Sequence, residues 1–351
     1  MQANIPIGDK LVGPDYPTYV IAEAGVNHNG DLNMALDLVR AAKKTGADCV
    51  KFQTFKASAV VTTHAPKANY QLQVTSPEES QLDMLKKLEM GRESYQAIMA
   101  CCREEGIQFL STPYNYDDAD FLQNLGVEAF KIASGQLVEH PFLEYVANFG
   151  KPMIVSTGMA TLSEVFEAIE VIRATGNEQI VLLQCTTNYP SRLEDANIRA
   201  MVSMGDAMDI MVGYSDHVEN NYACYAAVSL GAHLIEKHFT LDRELPGPDH
   251  SSSLEPAGFT ELVQGIRNIE AALGSPIKKP TAAEIANTQG MRRSIVALKD
   301  LSEGTVLAAD MLGFKRPATG MSPKMLTEVV GKTLAKGVSK DEPLDYDSIA
   351  W

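Results

Sequence analysis

The sequence predicts a TIM (β/α)8 barrel followed by a small C-terminal domain rich in short strands and turns. Eight short β-rich runs alternate with amphipathic helical patterns over roughly the first 270 residues, a length and rhythm typical of this barrel. Polar side chains stand at the end of every run, where barrel enzymes keep their chemistry. After the eighth unit the rhythm breaks at a segment with two prolines and two lysines.

The eight predicted strands are Tyr19–Glu23, Cys49–Gln53, Gln108–Thr112, Ala129–Ile132, Pro152–Ser156, Ile180–Cys185, Asp209–Tyr214 and Ala232–Glu236. The runs between them carry apolar residues at helical spacing, and the helix predicted over Tyr222–Leu230 joins the last two strands. The longest interruption, Lys56 to Glu89, predicts an extended loop and a short helix over the barrel top. A doubly wound open sheet would give the same alternation, but no G-x-G-x-x-G motif follows the first strand.

The domain organisation follows from the break in rhythm. We predict a barrel over residues 1–275, a linker over 276–290 and a second domain over 291–351. The second domain is near the size limit for independent stability, so we expect it to pack against a barrel.

Composition excludes several classes of partner. The formal net charge of −15 disfavours nucleic acid and anionic membranes, because both require a basic surface. An anionic small molecule can still bind to a few inward-pointing cations. No run of 18 apolar residues and no leader pattern is present, and the five cysteines form no C-x-x-C pair, so we expect a reduced, cytoplasmic protein.

The strand ends supply the candidate site residues. Lysines beside several hydroxyls predict a cradle for phosphate or carboxylate, although a lysine could instead form a Schiff base. Glu23 suits general acid or base work, or it could be a structural partner of Lys51. His217 and His238 each follow a predicted strand, and they are either metal ligands or a hydrogen-bonded structural pair. The ring comprises Glu23, Lys51, Gln53, Thr112, Lys131, Ser134, Ser156, Thr157, Thr186 to Tyr189, Ser215, Asp216, His217 and His238.

At these residues the chain resembles the sialic acid synthase family over nearly its whole length. The segments that carry the resemblance are Ile21–Gly30, Val50–Lys56, Gln81–Met90, Ser111–Pro113, Val155–Met159, Ser215–His217 and Glu236–Asp242. Two further segments, Pro246–His250 and Lys315–Pro317, extend it toward the family's antifreeze-like C-terminal domain.

The resemblance implies condensation of phosphoenolpyruvate with an N-acylated mannosamine, forming a nine-carbon 2-keto sugar acid and releasing phosphate. We favour N-acetylmannosamine as acceptor, which would make the chain an N-acetylneuraminate synthase. The alternative is a legionaminic acid synthase that uses 2,4-diacetamido-2,4,6-trideoxymannose. Two alternative functions lie outside the family's chemistry: a Schiff-base aldolase and a non-enzymatic carbohydrate- or ice-binding protein.

The resemblance also implies roles for individual residues. His217 and His238 would bind a divalent metal, Mn²⁺ first and Mg²⁺ or Co²⁺ as alternatives, and Glu23 would move protons. The phosphoenolpyruvate ligands would be Lys51, Thr112, Lys131, Ser134, Ser156 and Ser215. The acceptor sugar would contact Gln53, Tyr189, Asp249 and Arg316, the last reaching in from the partner of a domain-swapped homodimer.

Two positions depart from the family pattern. The family often has an acid where this chain has Gln136, which cannot ionise. In the loop after the sixth strand, either Thr187 or Asn188 takes the place of the family's asparagine.

Overall fold

The computed structural model describes residues 4–68, 72, 75–76 and 78–351. Its contacts divide the chain into two compact units, Met1–Gly274 and Ser275–Trp351. No helix among the described residues is long and apolar enough to cross a membrane.

The first unit is a barrel of eight parallel strands, which confirms the predicted fold class. A two-stranded antiparallel hairpin, β1 (Ile5–Ile7) and β2 (Lys10–Val12), precedes it. The strand order is β5-β4-β3-β10-β9-β8-β7-β6, and β5 and β6 lie side by side, so the sheet curls almost into a closed barrel. The barrel strands are β3 (Tyr19–Gly25), β4 (Cys49–Thr54), β5 (Gln108–Pro113), β6 (Phe130–Ile132), β7 (Met153–Ser156), β8 (Ile180–Cys185), β9 (Met211–Asp216) and β10 (Leu234–His238).

The last two strands lie two residues further along the chain than the sequence predicts. Asp209 has a left-handed backbone (φ 46°) and ends the preceding helix, so β9 begins only at Met211. His217 therefore follows the last residue of β9 directly, and His238 is the last residue of β10 rather than a residue beyond it.

Helices alternate with the strands and cover the outside of the barrel. The first of them, Leu32–Lys44, shows why they form: Asp31 caps it by accepting hydrogen bonds from the backbone of Asn33 and Met34, and its apolar residues share one buried face. The others around the barrel are Arg92–Glu105, Tyr116–Leu125, His140–Ala147, Leu162–Ala174, Arg199–Met208, Tyr222–Ser229 and Pro256–Leu273. Two short helices, Ala57–Val60 and Gln81–Lys87, lie in the segment that follows β4. The helix predicted at Gln81 is confirmed, and part of the long loop before it lies outside the described residues.

The core of the barrel confines polar chemistry to one end. Outward-facing strand residues pack against the helices in one large apolar cluster. Inside the barrel, a second cluster fills the end where the strands begin, and the β1–β2 hairpin contributes Ile5, Ile7 and Val12 to it. Since that end is filled with apolar side chains, polar groups are left for the carboxyl ends of the strands.

The second unit is small and built from short strands around its own core. Its strands are β11 (Ser294–Ala297), β12 (Leu312–Lys315), β13 (Thr333–Leu334) and β14 (Ile349–Ala350), which pair antiparallel in two hairpin-like sheets. Ile295, Leu307 and Leu344 are among its buried apolar residues. The segment predicted as a linker contains a helix, Ala282–Met291, because Thr281 and Glu284 form a capping box at its start.

Candidate active site

A cavity of about 410 Å³ opens at the carboxyl ends of the barrel strands. It brings together twelve of the thirteen residues to which the family resemblance gives a role. They are Glu23, Lys51, Gln53, Thr112, Lys131, Ser134, Ser156, Tyr189, Ser215, His217, His238 and Asp249.

Lys51 lies on β4 between two buried carboxylates. Its Nζ is 2.6 Å from Oε2 of Glu23 and 3.7 Å from Oε2 of Glu236, and it donates a long hydrogen bond of 3.4 Å to Thr112. Burial by itself would lower the pKa of Lys51, but the two carboxylates outweigh it and raise that pKa above its usual value. Lys51 is therefore a fixed cation, and the predicted pairing with Glu23 exists.

Lys131 on β6 is neutralised less completely. Its Nζ donates to Oγ of Ser156 at 2.7 Å and to the backbone oxygen of Ile132 at 3.0 Å, and its nearest carboxylate oxygen, on Glu236, is 3.7 Å away. Burial lowers the pKa of Lys131, and Glu236 only partly opposes that effect. An anionic ligand would supply a closer charge partner than Glu236.

Glu236 is the functional candidate that the sequence reasoning missed. It lies on β10 between both lysines, its Oε1 accepts a hydrogen bond from Ser215 at 2.9 Å, and the lysines hold its pKa below the usual value in spite of burial. Strand periodicity could have found it, because side chains two apart share a face and His238 was already expected to face the site. Lys237, between them, points outward and binds Asp216 at 2.5 Å, so Asp216 is structural.

Hydroxyl groups from neighbouring loops complete the floor of the cavity. Oγ of Ser134 accepts a hydrogen bond from the backbone N–H of Gly158 at 3.0 Å. A Cβ at Gly158 would come within 2.8 Å of Ser134 Oγ and 2.2 Å of Thr187 Oγ1. Glycine at this position therefore lets both hydroxyl groups lie close to the backbone. Thr187 lines the cavity, whereas the Asn188 side chain donates to the backbone of Pro190.

Two imidazoles lie together at the ends of β9 and β10. The rings of His217 and His238 have centroids 5.3 Å apart, and Tyr189 packs 4.0 Å from the first and 5.5 Å from the second. Nδ1 of His217 donates to the backbone oxygen of Thr186 at 2.7 Å, which leaves a lone pair on Nε2.

This pair fits a divalent cation with two protein nitrogens. Nδ1 of His238 is buried and has no hydrogen-bond partner among the described residues, so the ring has unused capacity. Across the described part of the chain, no group of three or more histidine, cysteine, aspartate or glutamate side chains could hold a metal. A cation bound by His217 and His238 would therefore keep open positions for water or substrate.

Glu23 and Asp249 are acids that line the cavity together with Gln53 and Tyr189. Oε1 of Glu23 accepts from Nε2 of Gln53 at 3.1 Å, and Tyr114 donates to the other end of that amide at 3.3 Å. Burial raises the pKa of Glu23, with a further rise from Glu236 and opposition from Lys51. Burial, helped by the charge of Glu23, raises the pKa of Asp249 to about 6.

The side-chain amide of Gln136 has a structural role. Nε2 donates to the backbone oxygen of Pro113 at 3.0 Å, and Oε1 accepts from the backbone of Ala133 at 3.2 Å. A carboxylate could not donate the first of these bonds. Gln136 therefore ties the end of β5 to the loop after β6.

Arg316, the thirteenth of these residues, is not among those that line the cavity. It lies in the second unit, where it is exposed and its Nε donates to the backbone oxygen of Met291 at 2.9 Å. No arginine is among the described residues that line the cavity.

Models of two known families match this chain. The model of the NeuB family matches residues 38–278, and the model of the SAF domain matches residues 292–350. A Campylobacter jejuni protein named N,N'-diacetyllegionaminic acid synthase is 45% identical over 93% of this chain and 98% of its own length. A Legionella pneumophila protein of the same name is 42% identical over 97% of each chain.

A solved structure has the same architecture. The N-acetylneuraminic acid synthetase of Leptospira borgpetersenii superposes with a TM-score of 0.73 at 31% identity, covering 82% of this chain and 95% of that one.

Proposed function

The chain belongs to the NeuB family, and on that premise we propose that it condenses phosphoenolpyruvate with 2,4-diacetamido-2,4,6-trideoxymannose. The product would be N,N'-diacetyllegionaminic acid. N-acetylmannosamine, the acceptor favoured by the sequence alone, becomes the second choice. The two relatives at 45% and 42% identity carry the legionaminic name, whereas the sialic acid synthetase structure is 31% identical.

One observation carries the phosphoenolpyruvate half of this proposal. Two buried lysines, Lys51 and Lys131, converge with serine and threonine hydroxyls on the floor of one cavity. Phosphoenolpyruvate presents a phosphate and a carboxylate, and each charge-assisted hydrogen bond to such a group contributes about 1.5–3 kcal/mol. Thr112, Ser134, Ser156 and Ser215 would share these oxygens with the lysines.

The reaction forms one carbon–carbon bond and breaks one bond to phosphate. C3 of phosphoenolpyruvate attacks the aldehyde carbon of the open-chain sugar, and the aldehyde oxygen takes a proton. Water adds at C2 and loses a proton, and the resulting tetrahedral centre expels inorganic phosphate to leave the 2-keto acid. We assign the proton transfer at the attacking water to Glu23, whose raised pKa suits a general base, with Lys51 holding its carboxylate in place.

His217 and His238 are the proposed metal ligands, and Mn²⁺ is the cation we propose first, with Mg²⁺ and Co²⁺ as alternatives. When bound, such an ion would polarise the aldehyde oxygen as a Lewis acid. Tyr189 packs on both rings and would restrict their orientation. Gln53 and Asp249 would position hydroxyl and amide groups of the sugar.

We further propose a homodimer in which Arg316 of the SAF domain completes the partner's site, as the family resemblance implies. A guanidinium can hydrogen-bond an N-acetyl oxygen with a fixed fork of donors. We also propose a cytoplasmic location, which the five free cysteines support, because thiols stay reduced there.

Phosphate release tests the function. We expect release from phosphoenolpyruvate to require an acceptor, with the diacetamido sugar giving a higher kcat/KM than N-acetylmannosamine. A lysine that formed a Schiff base would instead become trapped on treatment with borohydride and substrate. Trapping of Lys131 without phosphate release would replace the synthase by an aldolase, and release with no acceptor dependence would exclude both.

A further inference from the structure

The roof of the cavity differs in chemistry from its floor. The segment between β4 and the helix Arg92–Glu105 contributes five aliphatic or thioether side chains, which we name the apolar wall: Val60, Val61, Met84, Leu85 and Leu88. Met84 and Leu88 are buried, and Leu88 packs with Val26 and Phe55 in a separate apolar cluster. Leu85 packs against the same cluster, whereas Val60 is exposed and the polar Gln81 of this segment also lines the cavity, so the packed part of the wall is Met84, Leu85 and Leu88.

Within one chain, the described charged residues of the cavity leave no cation for a second phosphate, and the proposed Arg316 of the partner subunit is assigned to the N-acetyl oxygen. Among the described residues that line it, Lys51 and Lys131 are the only lysines or arginines, and four acids accompany them: Glu23, Glu139, Glu236 and Asp249. Both lysines are committed to phosphoenolpyruvate in the proposed function. A phosphate on the acceptor would then be desolvated beside carboxylates without a counter-charge, which is strongly unfavourable.

The position of the C6 end of the acceptor follows from where its aldehyde end must lie. Its aldehyde carbon must lie at the floor, where phosphoenolpyruvate and the two histidines are. The strand-end residues and the apolar wall line the same cavity of about 410 Å³, so the part of that cavity beyond the floor, where the C6 end would lie, includes the wall. An apolar surface stabilises a methyl group and desolvates a hydroxyl without returning a hydrogen bond.

We propose that the apolar wall selects the acceptor at C6, favouring a methyl group over a hydroxymethyl group and excluding a phosphate ester. This inference rests on the proposed function and deepens it. It assigns the choice of sugar to Val61 and Leu85, which are partly buried, more than to the strand-end residues that hold phosphoenolpyruvate.

The test uses three sugars that differ only at C6: N-acetylmannosamine, its 6-deoxy derivative and its 6-phosphate. For the full-length enzyme with Mn²⁺, we expect the 6-deoxy sugar to exceed N-acetylmannosamine in kcat/KM by about 10- to 100-fold, the range in which an apolar pocket discriminates against a hydroxyl. The 6-phosphate should be poorer than N-acetylmannosamine by at least about 100-fold.

Two variants make the wall polar with little change in volume, Val61→Thr and Leu85→Gln. We expect each to reduce the preference for the 6-deoxy sugar by roughly 5- to 10-fold through its KM, while the KM for phosphoenolpyruvate stays unchanged. Leu162→Gln is the matched control, since Leu162 is 51% exposed and outside the cavity. It should behave as wild type.

The outcomes separate this inference from the proposed function. Equal use of the 6-phosphate by wild type, or an unchanged C6 preference in both wall variants, overturns the role of the wall while phosphate release still supports the synthase. If no sugar, including the diacetamido acceptor, supports release, the synthase proposal fails. Calorimetric titration of the same three sugars then tests whether the apolar wall selects at C6, because binding of all three with equal affinity would contradict that role.

Discussion

Replacement of Lys131 by methionine tests the phosphoenolpyruvate cradle most directly. The change keeps the approximate length of the side chain and removes its charge. Nζ of Lys131 donates to Ser156 and to the backbone oxygen of Ile132, and its nearest carboxylate oxygen is 3.7 Å away on Glu236. Both hydrogen-bond acceptors are neutral, so its charge is available to an anionic ligand.

The expected loss follows from one charge-assisted contact. Such a bond contributes about 1.5–3 kcal/mol, which corresponds to roughly 10- to 150-fold in the dissociation constant of phosphoenolpyruvate. The free energy of unfolding of Lys131→Met should change little. Burial already disfavours the charged form of Lys131, and Glu236 still has Lys51 as a charge partner in the variant. Lys51→Met should behave differently. It leaves the buried carboxylates of Glu23 and Glu236 with one cation fewer, so we expect it to destabilise the fold by about 3–5 kcal/mol unless one acid takes up a proton.

Isothermal titration of phosphoenolpyruvate without acceptor measures the effect, and urea unfolding measures stability. Lys151→Met is the matched control, because Lys151 precedes β7 at the opposite end of the barrel and donates to the backbone of Val127. It should bind phosphoenolpyruvate as wild type does. If Lys131→Met binds as tightly as that control, Lys131 is not part of the cradle.

Three further predictions concern metal, pH and assembly. His217→Ala and His238→Ala should each abolish phosphate release and weaken Mn²⁺ binding measured by electron paramagnetic resonance; full metal binding by either variant would refute its role. Burial holds the pKa of Asp249 at about 6, above its unfolded value of about 4, so the folded state binds the extra proton and the metal-free protein should lose roughly 2–3 kcal/mol of unfolding free energy as pH rises through that window. Asp249→Asn should remove this loss, and equal pH profiles in urea unfolding would contradict it. Arg316→Ala and Glu23→Ala homodimers should both be nearly inactive, and mixed, re-equilibrated chains should regain activity, whereas a mixture no more active than its parents, with exchange shown by mass spectrometry, would refute the shared site.

The sequence predicts the barrel and its floor well because both follow from periodic patterns. All eight strands lie within two residues of their predicted positions, since buried parallel strands read as short β-branched runs between helical patterns. Once the strands are fixed, the barrel geometry places their final polar residues in one ring. The convergence of Lys51, Lys131, His217 and His238 therefore follows from the strand assignments alone.

Other features depend on information that a local pattern does not hold. Strand periodicity can place Glu236 on the same face as His238, but its partners Lys51 and Lys131 come from two distant strands and no local pattern shows them. The β1–β2 hairpin has only three residues in each strand, too few for a periodic signal. The use of Gln136 likewise depends on the backbone oxygen of Pro113, more than twenty residues away.

The balance of charge in the cavity connects the cradle with the choice of acceptor. Two lysines face two carboxylates across the floor, so the described charges of that network already cancel before a ligand arrives. Phosphoenolpyruvate brings a phosphate and a carboxylate into this neutral network, and a divalent cation at the two histidines would offset part of that charge. An acceptor phosphate would add negative charge with no remaining described cation to receive it, whereas a neutral deoxy sugar adds none. A cavity with this charge balance is suited to one anionic substrate and one uncharged, partly apolar partner.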